Sequence, residues 1–177
     1  MFTPVQHAEF NAWANQRLYA ACATLDEQRL GADRGAYFRS ILGTLNHILL
    51  VDILYMDRIE GRPARFRQLD ETVCATFAKL RERQIEQDRQ YGAFAASLTP
   101  EALDGVVRFR TLLAEPKLWT VPMRIYLTNL FQHQSHHRGQ VHNLLSQYGI
   151  DPPPIGFVEY AIEEGLVPPP QDPKEDH

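Results

Sequence analysis

The segment from Ile41 to Met56 constrains the fold most. Its apolar residues, Ile41, Leu42, Leu45, Ile48, Leu49, Val51, Ile53, Leu54 and Met56, cover most of a helical circumference at about 100° per residue. A helix apolar nearly all round must be buried on every side. The stretch is too short for a membrane span and contains Asn46, His47 and Asp52. The rest of the chain must therefore supply its surroundings, and no membrane partner is expected.

Helical signals dominate elsewhere. Thr3-Pro4-Val5-Gln6 reads as a capping box with proline at the first helical position. Phe10, Trp13, Ala14, Leu18, Ala21 and Leu25 then recur at helical spacing, which predicts a first helix to about Leu25. The second helix is expected from Tyr37 to Ile59, stopping at Gly61. A third, charged helix is expected from Glu71 to Leu98, with Val73, Phe77, Leu80, Ile85, Tyr91 and Phe94 as its apolar stripe. Val107, Phe109 and Thr111 alternate with Arg108 and Arg110, predicting a short strand pair turning near Glu115-Pro116. Pro122 opens a fourth long helix ending at Gly149. The fold class expected is all-α: a four-helix bundle with a short irregular or β-hairpin insert before the last long helix. Residues 1–165 are expected to form one domain and 166–177 a mobile Pro-rich tail.

Composition narrows the function. The 177 residues carry a formal net charge of −4, which argues against a nucleic-acid binder. Cys22 and Cys74 form no C-x-x-C, so neither a disulfide scaffold nor a cysteine zinc site is indicated. No basic start or apolar run opens the chain, and a cytoplasmic, reduced setting is expected.

The compositional oddity is histidine. Four of the seven lie between His133 and His142. On a wheel with His133 at zero, the apolar residues of the fourth helix fall between about 20° and 120°. His137 lands near 40°, His136 near −60° and His142 near 180°. His133 and His137 thus point to the core, one turn apart, and the other two point away. Such a pair can place two imidazoles on one metal ion. His47 is the other histidine in a long apolar element. The residues alone leave two readings open: a three-histidine metal site, or imidazoles hydrogen-bonded in a core. Three neutral imidazoles would leave a coordination position open, as catalytic sites do.

Neighbouring residues are less decisive. Gln140, near −20° on the wheel, can bond a ligand or pack at the rim. Arg138 is expected in an interhelical salt bridge, and Gly139 at a close helix approach. Asp52 lies about 140° from His47 and is not expected to share its ion. Asn11 and Asn15 are candidates to face a metal cavity. His136 and His142 are expected to be solvated or at a subunit contact. No Gly-rich phosphate loop and no G-x-S-x-G is present.

Three segments resemble the DinB family of bacterial metal-binding four-helix proteins (not the polymerase of that name). They are residues 10–18, Phe-Asn-Ala-Trp-Ala-Asn-Gln-Arg-Leu; residues 41–48, Ile-Leu-Gly-Thr-Leu-Asn-His-Ile; and residues 133–142, which match an H-x-x-x-H-R-G-Q helix. The resemblance implies a metal triad of His47, His133 and His137, a zinc or nickel ion, and a homodimer. It also implies kinship with transferases and isomerases that use low-molecular-weight thiols. The function so implied is a metal-dependent enzyme, a thiol S-transferase or a hydrolase, acting on a small electrophile. The alternatives are a non-catalytic, stress-associated metal-binding module and a metal-free interaction bundle.

Overall fold

The computed structural model describes residues 3–170. Four long helices dominate: α1 (Pro4–Cys22), α3 (Ile41–Ile59), α4 (Phe77–Ser97) and α6 (Met123–Ser146). Short helices α2 (Glu27–Gly31), α5 (Pro100–Leu103) and α7 (Phe157–Glu163) and strands β1 (Val106–Arg110) and β2 (Leu118–Pro122) complete it. The strands pair antiparallel, with Val107 opposite Val121 and Phe109 opposite Trp119. The expected hairpin is present, and the chain is mostly helical.

Caps decide where the helices begin. Thr3 accepts from the Gln6 amide while the Gln6 side chain accepts from Thr3, closing the expected capping box. The second long helix starts at Ile41 rather than Tyr37. Arg39 adopts φ +66°, which no α-helix accommodates, and Ser40 then caps α3 by accepting from the Gly43 amide at 3.0 Å. The third starts at Phe77, not Glu71, because Thr76 is its cap. Val73 therefore lies before α4, and Ile85 is 51% exposed, off the buried stripe. The α2 and α7 turns fall in stretches whose polar or proline-rich composition hid them. Residues 171–177 of the expected tail lie outside the described residues.

α3 is the centre. Residues 44–57 are buried without a break, with α4 and α6 against α3, and α1 against α4 and α6. Each buried Leu or Ile there contributes about 1.5–3 kcal/mol. Further cover comes from α2, from β1 and from the irregular segment 62–76. Asp57, fully buried, accepts from Arg62 Nε at 2.7 Å and Arg65 Nε at 2.8 Å. Asn46 Oδ1 accepts from the amides of Val73 and Cys74 at 2.8 and 2.9 Å. These two α3 side chains tie both ends of the segment to the helix.

The close backbone approach expected at Gly139 occurs at Gly43 instead. A Cβ at Gly139 would meet nothing within 4 Å, whereas one at Gly43 would stand 2.1 Å from the Phe38 carbonyl oxygen. The absent side chain lets the Tyr37–Arg39 turn lie directly on α3.

A buried polar layer crosses the long helices. Asn11 and Asn15 of α1 donate to Asp88 of α4, and Gln84 Nε2 donates to both Asp52 and Asp88 at 3.0 and 3.1 Å. Gln134 of α6 also donates to Asp52. Arg138, 2% exposed, donates to Asn11 Oδ1 at 2.6 Å and Asn15 Oδ1 at 3.1 Å. Asn11 and Asn15 thus serve this layer, not a metal cavity. Arg138 reaches Asp88 through amides rather than in the expected direct salt bridge. Burial holds the Asp52 carboxyl well above the usual range, pushes Asp88 up to about 6 and brings Arg138 down to about 10.

Candidate metal centre

α3 and α6 bring His47, His133 and His137 together. One nitrogen from each ring lies within 4.8 Å of the others. Ring centroids are 5.0 Å apart for His47 and His133, 4.5 Å for His47 and His137, and 4.3 Å for His133 and His137. The i, i+4 spacing explains the α6 pair, since side chains one turn apart share a face. His136 and His142 lie outside the nitrogen cluster; His142 is half-buried, while the exposed His136 still sets its ring edge-on to His137, with centroids 4.8 Å apart.

Hydrogen bonds set the ring tautomers. A carbonyl oxygen can only accept, so His47 Nδ1–H donates to Leu69 O at 2.7 Å and leaves Nε2 as a lone pair. His137 Nδ1–H donates to Gln140 Oε1 at 2.9 Å, freeing its Nε2 likewise. Gln140 in turn donates through Nε2 to His136 Nε2 at 3.3 Å. Outer partners of this kind are what orient imidazoles on metals. His133 presents Nε2 to His47 Nε2 at 3.0 Å, and among the described residues its buried Nδ1 has no hydrogen-bond partner.

The electrostatics suit a cation without a proton. Burial lowers His47 to about 4, against the pull of the Leu69 bond, and lowers His133 to about 3, helped by His137, His47 and His136. His137 is lowered too, again by burial first. All three rings are neutral donors at neutral pH. An all-imidazole set with two of its three tautomers fixed fits a borderline divalent ion. Among the described residues, no Asp, Glu or Cys joins the cluster, so it would leave positions open on the cavity side.

That cavity has a volume of about 1450 Å³. His47, His133, His136, His137 and Gln140 line one part of it, Val51, Leu54, Tyr55 and Arg58 of α3 another, and the hairpin residues Phe109, Leu112, Leu113 and Trp119 a third. Phe38 stacks on His47, with centroids 3.9 Å apart and planes at 18°, and shields it from solvent.

Two elements of this site have weak or no sequence signal. Phe38 falls where the sequence predicts the first turn of the second helix, and only the later start of α3 turns it onto His47. Leu69 contributes only its backbone carbonyl, which no sequence pattern marks. Cys22, a buried thiol pushed up to about 12 by burial, is inert, and both cysteines are free. Among the described residues, no helix is long and apolar enough to cross a membrane.

The DinB family model matches residues 1–172. Two solved structures share the fold. A DinB-like protein from Bacillus subtilis, 18% identical, covers 84% of this chain and 96% of its own with a TM-score of 0.62. Another from Bacillus cereus, 17% identical, covers 80% and 90% with a TM-score of 0.56. No curated protein matches the chain.

Proposed function

The chain belongs to the DinB family, and on that premise we propose that His47, His133 and His137 hold one divalent ion, zinc or nickel, in a metal-dependent enzyme. The reaction we favour is transfer of a low-molecular-weight thiol to a small electrophile, with hydrolysis second. One observation carries the reading. Three neutral imidazoles, two with Nδ1 already bonded, converge beside a large cavity with no fourth protein ligand among the described residues. The same openness weighs against the non-catalytic, stress-associated module, whose ion would need a closed sphere.

A bound divalent ion supplies Lewis acidity, enough to lower the pKa of water to about 7 or to deprotonate a coordinated thiol. The chain supplies the rest. Leu69 O and Gln140 Oε1 hold two rings in register, Phe38 keeps water from the back of His47, and the cavity walls hold the electrophile. In the transfer, the thiol gives its proton to solvent water, the S–C bond forms as the electrophile's C–X bond breaks, and X leaves with the bonding pair as an anion.

We read the four long helices as a four-helix bundle in a cytoplasmic setting, supported by the two free cysteines. We also propose a homodimer. The resemblance implies it, but one chain already buries α3, so that helix offers no free apolar face. The support now comes from the exposed Leu118 and Ile125, 65% and 59% exposed, near the hairpin and the start of α6. Sedimentation of a species near twice 20.3 kDa is expected; a monomer alone would refute it.

The test of the main reading is direct. Zinc- or nickel-loaded protein is mixed with a low-molecular-weight thiol and chlorodinitrobenzene, and thioether formation is followed by absorbance. Metal-dependent turnover that is lost in His133→Ala supports the transferase. Stoichiometric metal binding without turnover of thiol or ester substrates favours the non-catalytic module.

A further inference from the structure

The far end of the same cavity carries a cation with no counter-ion among the described residues. On α3, His47, Val51, Leu54 and Arg58 stand at i, i+4, i+7 and i+11, within about 60° of one another around the helix. All four line the cavity. Eleven residues at 1.5 Å each separate the His47 and Arg58 backbones by ~16 Å along the axis. The cavity floor is thus a stripe with an imidazole at one end, apolar side chains in the middle and a guanidinium at the other.

Arg58 is half-buried, and its guanidinium lies 4.1 Å over the Phe109 ring. One donor, Nη2, reaches Arg110 O at 3.4 Å. Among the described residues no carboxylate pairs with it. The contrast with its neighbour is informative. Asp57 faces away and takes Arg62 and Arg65, both more exposed than Arg58. The C-terminal carbonyls of α3 offset about half a charge, which leaves the group net positive. The acidic residues that line the cavity, Asp33 and Asp70, belong to the other end, in the connections that carry Phe38 and Leu69. The hairpin beside Arg58 adds Trp119 and Leu113, 51% and 59% exposed, as apolar wall. Large exposed apolar side chains around one oriented, half-desolvated guanidinium are what an amphipathic anion needs.

We propose that the cavity takes an elongated substrate whose anionic group is bound by Arg58 at the hairpin end, with its apolar body along Val51, Leu54 and Trp119 and its reacting end at the histidines. The inference rests on the reading of this cavity as the substrate chamber of the histidine site.

The test uses the full metal-free chain and two fluorescent probes that differ in one group: anilinonaphthalene sulfonate and its sulfonate-free parent, phenylnaphthylamine. A sulfonate is a poor zinc ligand, so its binding reports on Arg58 rather than on a metal. The wild type is expected to bind the sulfonate at least about tenfold more tightly than the parent, the scale of a charge-assisted hydrogen bond. Arg58→Gln should erase that preference while leaving phenylnaphthylamine affinity unchanged, and Arg58→Lys should keep part of it. Circular dichroism and zinc stoichiometry check that each variant is folded. If Arg58→Gln retains the preference, or the wild type has none, the proposal is overturned. If added zinc strengthens sulfonate binding equally in wild type and Arg58→Gln, the anion sits at the histidines and the proposal is likewise overturned. Zinc binding that survives such a result leaves the metal reading standing. Sulfonate preference in a His133→Ala protein that binds no zinc leaves this one standing.

Discussion

The Nε2 atoms of His47 and His133 face each other across 3.0 Å. Because His47 commits its Nδ1–H to Leu69, its Nε2 carries a lone pair, and His133 must donate into it. Binding an ion between them requires His133 to move that proton to Nδ1, where no described residue offers a partner. This arrangement predicts which histidines matter. His47→Ala, His133→Ala and His137→Ala should each lose stoichiometric metal, with affinity falling more than about 100-fold, beyond the 10–100-fold that outer partners carry. His136→Ala and His142→Ala should keep it. Elemental analysis after dialysis decides; loss in His136→Ala with retention in His133→Ala would mean the helix has been read in the wrong phase.

Gln140→Leu should weaken metal by about 10–100-fold without unfolding the chain. The amide oxygen that fixes the His137 tautomer disappears, while the residue, half-buried at the rim, packs little core. A competition titration with a chromogenic chelator measures it. An affinity equal to wild type would show that His137 needs no such partner.

Gly43→Ala should perturb the site from a distance. The new Cβ would meet the Phe38 carbonyl at 2.1 Å, so the turn must lift and Phe38 must leave His47. Overpacking of this kind costs about 1–3 kcal/mol. Hydrogen exchange should rise at residues 36–40 before it rises in α3. Unchanged exchange and unchanged stability would contradict the contact.

Arg138→Met removes the one cation of the buried layer and strands Asp88. A loss of about 3–5 kcal/mol is expected. Asp88→Asn in the same chain should restore much of it, with a coupling of about 1–3 kcal/mol in urea unfolding. Simple additivity would show that the two groups do not sense each other through Asn11 and Asn15.

The metal-free protein should lose stability on acidification. His7, His47, His133, His137 and His142 are all lowered below 6.5 on folding, His47 to about 4 and His133 to about 3. Between 6.5 and those values the unfolded chain binds protons that the folded chain refuses, so stability falls as pH falls. Asp88, raised to about 6, and Asp52, also raised by burial, act in the opposite sense. Five histidines outnumber two aspartates, so the urea midpoint should drop steadily from pH 7 to pH 4.5. A chain carrying both His47→Asn and His133→Asn should lose much of that slope. A midpoint that rises on acidification would reverse the assignment.

The sequence carried what periodicity carries. It placed α3 in the centre, located the hairpin from alternation around Phe109, and separated His133 and His137 from His136 and His142. It misplaced two helix starts because a cap outranks a hydrophobic pattern: Ser40 after a left-handed Arg39, and Thr76. It expected Gly139 to mark a helix crossing, but an exposed glycine and a sterically required one look alike in one chain. The polar layer was scattered among Asn11, Asn15, Gln84 and Asp88, which belong to one another only once four helices converge. Arg138 looked like half of an ion pair because charge complementarity is visible in sequence and amide bridging is not.

The bond from His47 to the Leu69 carbonyl has an evolutionary corollary. Every residue presents a backbone carbonyl, so position 69 can change its side chain without removing the acceptor of the His47 ring. What cannot change freely is the path between Asp57 and Asn46's partners at Val73 and Cys74, since it sets where that oxygen lies. Inserting or deleting one residue between 62 and 73 should therefore harm the site more than any single exchange at Leu69. Among descendants of this chain, selection would conserve the length of that span while its spelling drifts.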